Sequence, residues 1–142
     1  MTFNTELLAL CRGISQNYQA RLNVIAKAHG LSALEGEILS FLHCNPEVDT
    51  PSVMIGLLGL SKGDTSMAVD HLVRLGYLSK SRDEKDRRKN HLHLLASSEI
   101  ISQEIDRMRA EFLKEILRDF SPEDKKKLKD YLQKVFSNVT AQ

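Results

Sequence analysis

Between residues 77 and 94 the hydrophobic period of the chain drops from 3.6 to 2, and this window constrains the fold more than any other. Tyr77-Leu78-Ser79-Lys80-Ser81-Arg82 and Asn90-His91-Leu92-His93-Leu94 both show the alternation of strands. Between them lie seven charged residues in succession, Asp83 to Lys89. Two short strands with a charged tip make a hairpin. Such a hairpin has no buried material of its own and must pack on the rest of the chain.

The rest reads as helix. Leu7, Cys11, Ile14, Tyr18, Leu22 and Ile25 form one stripe over 3–29, and Gly30 fits the stop. Ser32-Ala33-Leu34-Glu35 is a capping box that opens a second helix to about His43, with Ile38, Leu39 and Leu42 toward the core; Asn45-Pro46 ends it. Thr50-Pro51 starts a short third helix over about 51–58, and Leu58-Gly59-Leu60 is a turn. Ser61 caps a fourth helix, with Asp64 at N3. It runs to about Leu75, is stopped by Gly76, and takes Met67, Val69, Leu72, Val73 and Leu75 as its apolar face. After the hairpin, Ser97 or Ser98 caps a fifth helix to about Phe120, with Ile101, Ile105, Met108, Phe112, Ile116 and Phe120 on one stripe. Ser121-Pro122-Glu123-Asp124 restarts a sixth, which carries Leu128, Leu132, Val135 and Val139.

At 142 residues this is the size of one domain. With 20 basic and 19 acidic residues the chain is no bulk polycation, but a local patch is allowed. Six of the ten residues at 80–89 are Lys or Arg, whereas 33–60 hold four acids and neither Lys nor Arg. Two cysteines make no disulfide framework, no apolar run of 18 residues occurs, and the N-terminus lacks the basic region of a secretion signal; a reduced, cytoplasmic protein with no membrane contact is expected. No metalloprotease, nucleophile-elbow, P-loop or dinucleotide motif appears, so neither catalytic residue nor cofactor is expected.

Short, sharply capped helices joined by a Gly-containing turn, then a hairpin, are the layout of a winged helix-turn-helix. The fold class expected is mainly α (α+β), with a two-stranded β wing and long terminal helices. A helix N-terminus fits the major groove, and its amides favour phosphate. Ser61, Lys62, Thr65 and Ser66 stand at that end, and His71 and Arg74 follow as further candidates. Asp64 and Asp70 are poor phosphate neighbours; they serve as caps, as partners of Lys or Arg, or as acceptors from cytosine. At the tip, Arg87, Arg88 and Lys89 are the candidate DNA contacts, with Asp86 orienting an arginine for the minor groove.

The run from Leu31 to Ala96 resembles the winged-helix domain of the MarR family of bacterial transcriptional regulators. The resemblance is carried by Leu31-Ser32, by Leu60-Ser61-Lys62-Gly63-Asp64-Thr65-Ser66, by the Leu72…Leu75-Gly76-Tyr77-Leu78 helix exit, and by Asp83…Asp86-Arg87-Arg88…Leu92…Leu94. The departure is Leu95-Ala96-Ser97-Ser98, where the family commonly has Leu-Thr and a later Gly; it alters a cap. The resemblance implies a homodimer on a pseudo-palindromic duplex, usually a repressor released by a small ligand or by oxidation. It implies a winged lobe over 31–96 and a dimerisation region over 1–30 and 97–142. The wide apolar stripes of the terminal helices also favour a dimer, since two recognition helices about 34 Å apart read successive major grooves. Tyr18, Leu22, Phe41 and Met108 are chosen as candidate lining for an effector pocket whose occupation changes the spacing of the recognition helices.

Two rival readings carry different tests. One is a dimeric winged-helix protein-interaction module without DNA, to which the acids at 64, 70, 83, 84 and 86 lend weight. The other is a metal- or redox-sensing regulator. His91 and His93 share a strand face, but two ligands are not a zinc site, so exposed wing histidines and no metal are expected. Peroxide sensors in the resembled family use an N-terminal cysteine. Cys11 lies on an apolar stripe and is expected to be a buried structural thiol, while Cys44 lies near Glu47 and Asp49, which raise a thiol pKa.

Overall fold

The capping signals set the element boundaries. A computed structural model describes residues 1–140. The order is α1 (Phe3–Ala28), α2 (Ala33–Cys44), α3 (Pro51–Leu58), α4 (Lys62–Arg74), β1 (Leu78–Arg82), β2 (Asn90–Leu94), a 3-10 turn (Ala96–Ser98), α5 (Glu99–Ile116) and α6 (Pro122–Thr140). The capping box of α2 forms in both directions: Glu35 N–H donates to Ser32 Oγ and Ser32 N–H to Glu35 Oε1. Thr50 precedes Pro51 as the cap of α3, but its hydroxyl makes no capping bond. Gly59 then adopts φ 65°, a left-handed conformation open to glycine without the Cβ clash, and so permits the tight α3–α4 turn.

The chain forms two compact units, one from Met1 to Arg109 and one from Ala110 onward, with α5 running from the first into the second. In the first unit, Leu22 and Ala26 of α1, Ile38, Leu39 and Leu42 of α2, Met54 of α3, Val69 and Leu72 of α4, Leu78 and Leu92 of the hairpin, and Ile101 and Ile105 of α5 make one core. At Gly36 the helices approach closely: a Cβ there would stand 3.3 Å from Ile105 Cδ1 and 3.4 Å from Ala26 Cβ. The hairpin is antiparallel, with Leu78 opposite Leu94, Lys80 opposite Leu92 and Ser81 opposite His91. It is held to the helices through Leu78 and Leu92 and by Leu92 N–H, which donates to Asp49 O at 2.7 Å.

Two expectations about facing and one about a helix end are corrected. The α1 stripe is helical throughout, but among the described residues of α1 only Leu22 and Ala26 are buried. Leu7 and Ile14 are exposed, and so is Cys11, which is not a buried thiol. On α4 the buried line is Thr65, Ala68, Val69 and Leu72, at helical steps of three, one and three. Met67 falls off that line and is 73% exposed, and Leu75 is exposed at the helix end. The fifth helix ends at Ile116 rather than Phe120, because a turn intervenes in which Asp119 takes φ 66°.

In the second unit Ser121 and Asp124 form a reciprocal box, each side chain accepting the other's backbone N–H at 3.0 Å, and α6 begins at Pro122. Phe112 is buried. On α6 no described residue is buried, and Tyr131, Leu132, Val135, Phe136 and Val139 are exposed.

Candidate nucleic-acid interface

The N-terminus of α4 and the wing face each other across a groove. Ser61 caps the helix by accepting Asp64 N–H at 3.3 Å, which leaves the first-turn amides at an exposed end with partial positive charge. The groove encloses about 470 Å³. Lys62 and Ser66 line it from α4, Lys80 from β1, Arg88 and Lys89 from the wing, and Ile55 from α3. α3 carries no charged side chain, so the positive groups stand on the recognition helix and the wing. Lys80 is fixed there by Asp70, 2.7 Å away on α4. The Lys80 ammonium accordingly lowers the Asp70 pKa. Of the roles open to Asp70, that of partner to a lysine is the one it fills.

The tip is a folded turn built on two aspartates. Asp83 Oδ1 accepts the N–H groups of Lys85 at 2.7 Å and Asp86 at 3.0 Å. Asp86 Oδ1 in turn accepts Arg88 N–H at 3.0 Å and Arg88 Nε at 3.3 Å. Arg88 is thereby aimed while its side chain stays 92% exposed. Arg87 and Lys89 are exposed beside it.

Some candidate positions lie elsewhere. Thr65 is fully buried, and its hydroxyl donates to Ser61 O at 2.7 Å, so its side chain stabilises the start of α4 and presents nothing to a base edge. His71 turns toward α2, where Nδ1 pairs with the buried Glu35 carboxylate; with Arg74 it lines a shallow hollow beside Met67, outside the groove. The candidate effector-pocket residues Tyr18, Leu22, Phe41 and Met108 lie at the core of the first unit. Leu22 is fully buried, the other three pack against the core, and none lines the groove or that hollow. Tyr18 instead donates to Glu37 at 3.3 Å and accepts from Arg109, whose guanidinium also bonds Ser40 at 2.7 Å.

Sequence reasoning does not single out Lys80, and it weighs His91 only as a possible zinc ligand on an exposed wing face. Lys80 shows only as one member of a basic run. His91 is no free wing histidine: it lies between Asp49 at 2.8 Å and Asp83 at 2.9 Å. His93 is exposed and bonds Ser81 at 2.9 Å. Cys44 lies 3.2 Å from Asp106; burial, and then this carboxylate, push its thiol pKa up. The acids near it in sequence, Glu47 and Asp49, are not the cause. Among the described residues no cluster of three His, Cys, Asp or Glu is placed to hold a metal, and no helix is long and apolar enough to cross a membrane.

Two helices joined at a left-handed glycine, the second exposed at its capped end, followed by a two-stranded wing, define a winged helix-turn-helix protein. A family model, that of the MarR family, matches residues 29–89, from the end of α1 to the wing tip. Over those residues, which are less than half of the chain, it is similar to that family. No curated protein matches the sequence. Solved structures share the fold over nearly the whole chain. A MarR protein from Peptoclostridium difficile is 21% identical, with TM-score 0.85, over 97% of this chain and 90% of that one. A MarR family regulator from Listeria monocytogenes, solved with a 26mer DNA, is 16% identical with TM-score 0.82, covering 98% and 89%. MepR of S. aureus, solved as a DNA complex, is 17% identical with TM-score 0.78, covering 99% of each chain.

Proposed function

We propose that this protein is a homodimeric, sequence-specific duplex-DNA-binding regulator of transcription, acting as a repressor by occupying its operator. The observation that carries the reading is the groove in which Lys62 and Ser66 at the capped end of α4 face Arg88 and Lys89 of the wing. The exposed end of α4 fits a major groove, with Ser61 and Ser66 able to exchange hydrogen bonds with base edges. Arg87 and Arg88 reach the neighbouring minor groove, where the negative potential favours guanidinium. Asp86 holds the Arg88 guanidinium before contact, which reduces the rotamer freedom lost on docking. The Listeria and S. aureus relatives were captured on DNA, and this chain shares their fold.

One such module makes few phosphate contacts and binds weakly alone. The exposed apolar residues Leu7, Leu8, Leu10 and Ile14 of α1, and Leu132, Val135, Phe136 and Val139 of α6, are the surfaces a second copy would cover. The test is a gel shift with the DNA upstream of the chain's own gene at two salt concentrations. With Lys62, Arg87, Arg88 and Lys89 each neutralising about one backbone charge in both copies, log K falls against log salt with a slope of about −7. A retained shift with no salt dependence, or none at low salt, overturns the reading.

A further inference from the structure

We propose that His91 is a pH-operated clamp that positions the wing, its imidazolium tying the tip to the α2–α3 loop through Asp83 on one side and Asp49 on the other. The inference deepens the duplex-binding reading and rests on it only for one of its two readouts.

The geometry asks for the charged ring. Nδ1 stands 2.8 Å from Asp49 Oδ2 and Nε2 stands 2.9 Å from Asp83 Oδ2. A neutral imidazole has one N–H and one lone pair, so it can serve one of these carboxylates and must turn a lone pair toward the other. Only the imidazolium donates to both. The two carboxylates lie on different pieces of the fold: Asp49 precedes α3, and Asp83 follows β1. Asp83 uses its other oxygen to hold the backbone of Lys85 and Asp86, and Asp86 holds Arg88. A single ring therefore links the helical lobe to the arginine-bearing tip.

The surrounding charges agree. From the loop come Asp49 and, two residues earlier, exposed Glu47; α3 carries no titratable side chain. From the hairpin come Asp83 itself, the exposed Arg82 and Lys89, and His93, which bonds Ser81. The bond to Asp83, then that to Asp49, raises the His91 pKa above 6.5. The bond from His91, then those from the Asp86 and Lys85 amides, lowers Asp83 from 3.8 to about 2. For His91 the raised value means that its contribution is complete below 6.5 and fades as pH rises through the folded-state pKa. For Asp83 the lowered value means that its contribution is complete above 3.8 and is lost as pH falls toward about 2. The clamp is closed between those limits and opens on the alkaline side.

The experiment follows the His91 ring by NMR from pH 5 to 9, together with ¹⁵N order parameters of the Arg87 and Arg88 amides without DNA. Duplex affinity is measured over the same range at fixed ionic strength. The variants are Asp49→Asn, which keeps the tip turn, and His91→Gln. In the wild type the order parameters drop as the ring deprotonates, and duplex affinity weakens about three- to tenfold with the same midpoint, as loss of one exposed charge-assisted bond implies. Asp49→Asn moves both midpoints to lower pH. His91→Gln removes this step and sits at the alkaline affinity; His29, His43, His71 and His93 remain in both proteins, so the comparison isolates His91. A ring midpoint at or below 6.5, or wing order indifferent to the titration, overturns the clamp. Identical pH profiles for wild type and His91→Gln on DNA overturn the clamp and leave duplex binding standing. Wing order that follows His91 in a protein that binds no duplex sustains the clamp and defeats the duplex reading.

Discussion

Glu35 serves two elements from one buried carboxylate. Oε1 receives Ser32 N–H at the start of α2, and Oε2 holds His71 on α4. Burial raises its pKa, but the bonds from Ser32 and His71 more than offset this and leave it below 4.5. Its stabilisation is therefore complete above that pH and is lost as pH falls through the lowered value. Glu35→Ala removes half of the capping box and a charge-assisted bond, and is expected to destabilise the protein by about 2–3 kcal/mol in urea unfolding at pH 7. At the interface two residues are expected to fail differently. Arg88→Ala weakens binding to every duplex and lowers the salt slope by about one per protomer, measured by anisotropy. Ser66→Ala acts on the specific site more than on random DNA. If both variants bind specific and random duplex as the wild type does, the groove is not the contact surface.

Among the elements, the α1–α2–α5 crossing depends on Gly36. Val at that position adds two methyl groups beyond a Cβ already at 3.3 Å from Ile105, and is expected to cost about 1–3 kcal/mol in thermal or urea unfolding. Asp119 presents the opposite case. It closes the α5–α6 connection with φ 66°, which strains a residue bearing a Cβ, so Asp119→Gly is expected to raise stability by up to about 1 kcal/mol. Capping sequences announced these elements well: Ser32, Ser61 and Ser121 each start a helix where their hydroxyls predict, because a cap is a contact between residues three apart. Side-chain direction was less legible. Thr65 reads as a polar residue at a helix start, yet its hydroxyl turns back to Ser61 O, and its burial depends on which line of α4 meets α2. Only the Asp83 half of the His91 clamp is local to the hairpin; the other half could not be read from sequence, since Asp49 lies 42 residues away in the chain.

For the whole molecule, the apolar residues left in solvent on α1 and α6 are the quantity to test. If a second copy covers them, sedimentation gives a dimer and Tm rises with protein concentration. Leu8→Glu with Leu132→Glu is expected to yield monomers that keep the helical circular dichroism and lose most of their duplex affinity. A wild type that sediments as a monomer at micromolar concentration defeats the paired arrangement. The uneven placement of charge has a further kinetic consequence. Residues 33–60 bear carboxylates and no Lys or Arg, while the wing is dense in cations. A polyanion is therefore attracted first to the wing, where the cations cluster. If a polyanion is the partner, added salt slows its capture by screening those cations at a distance as well as by weakening the final grip.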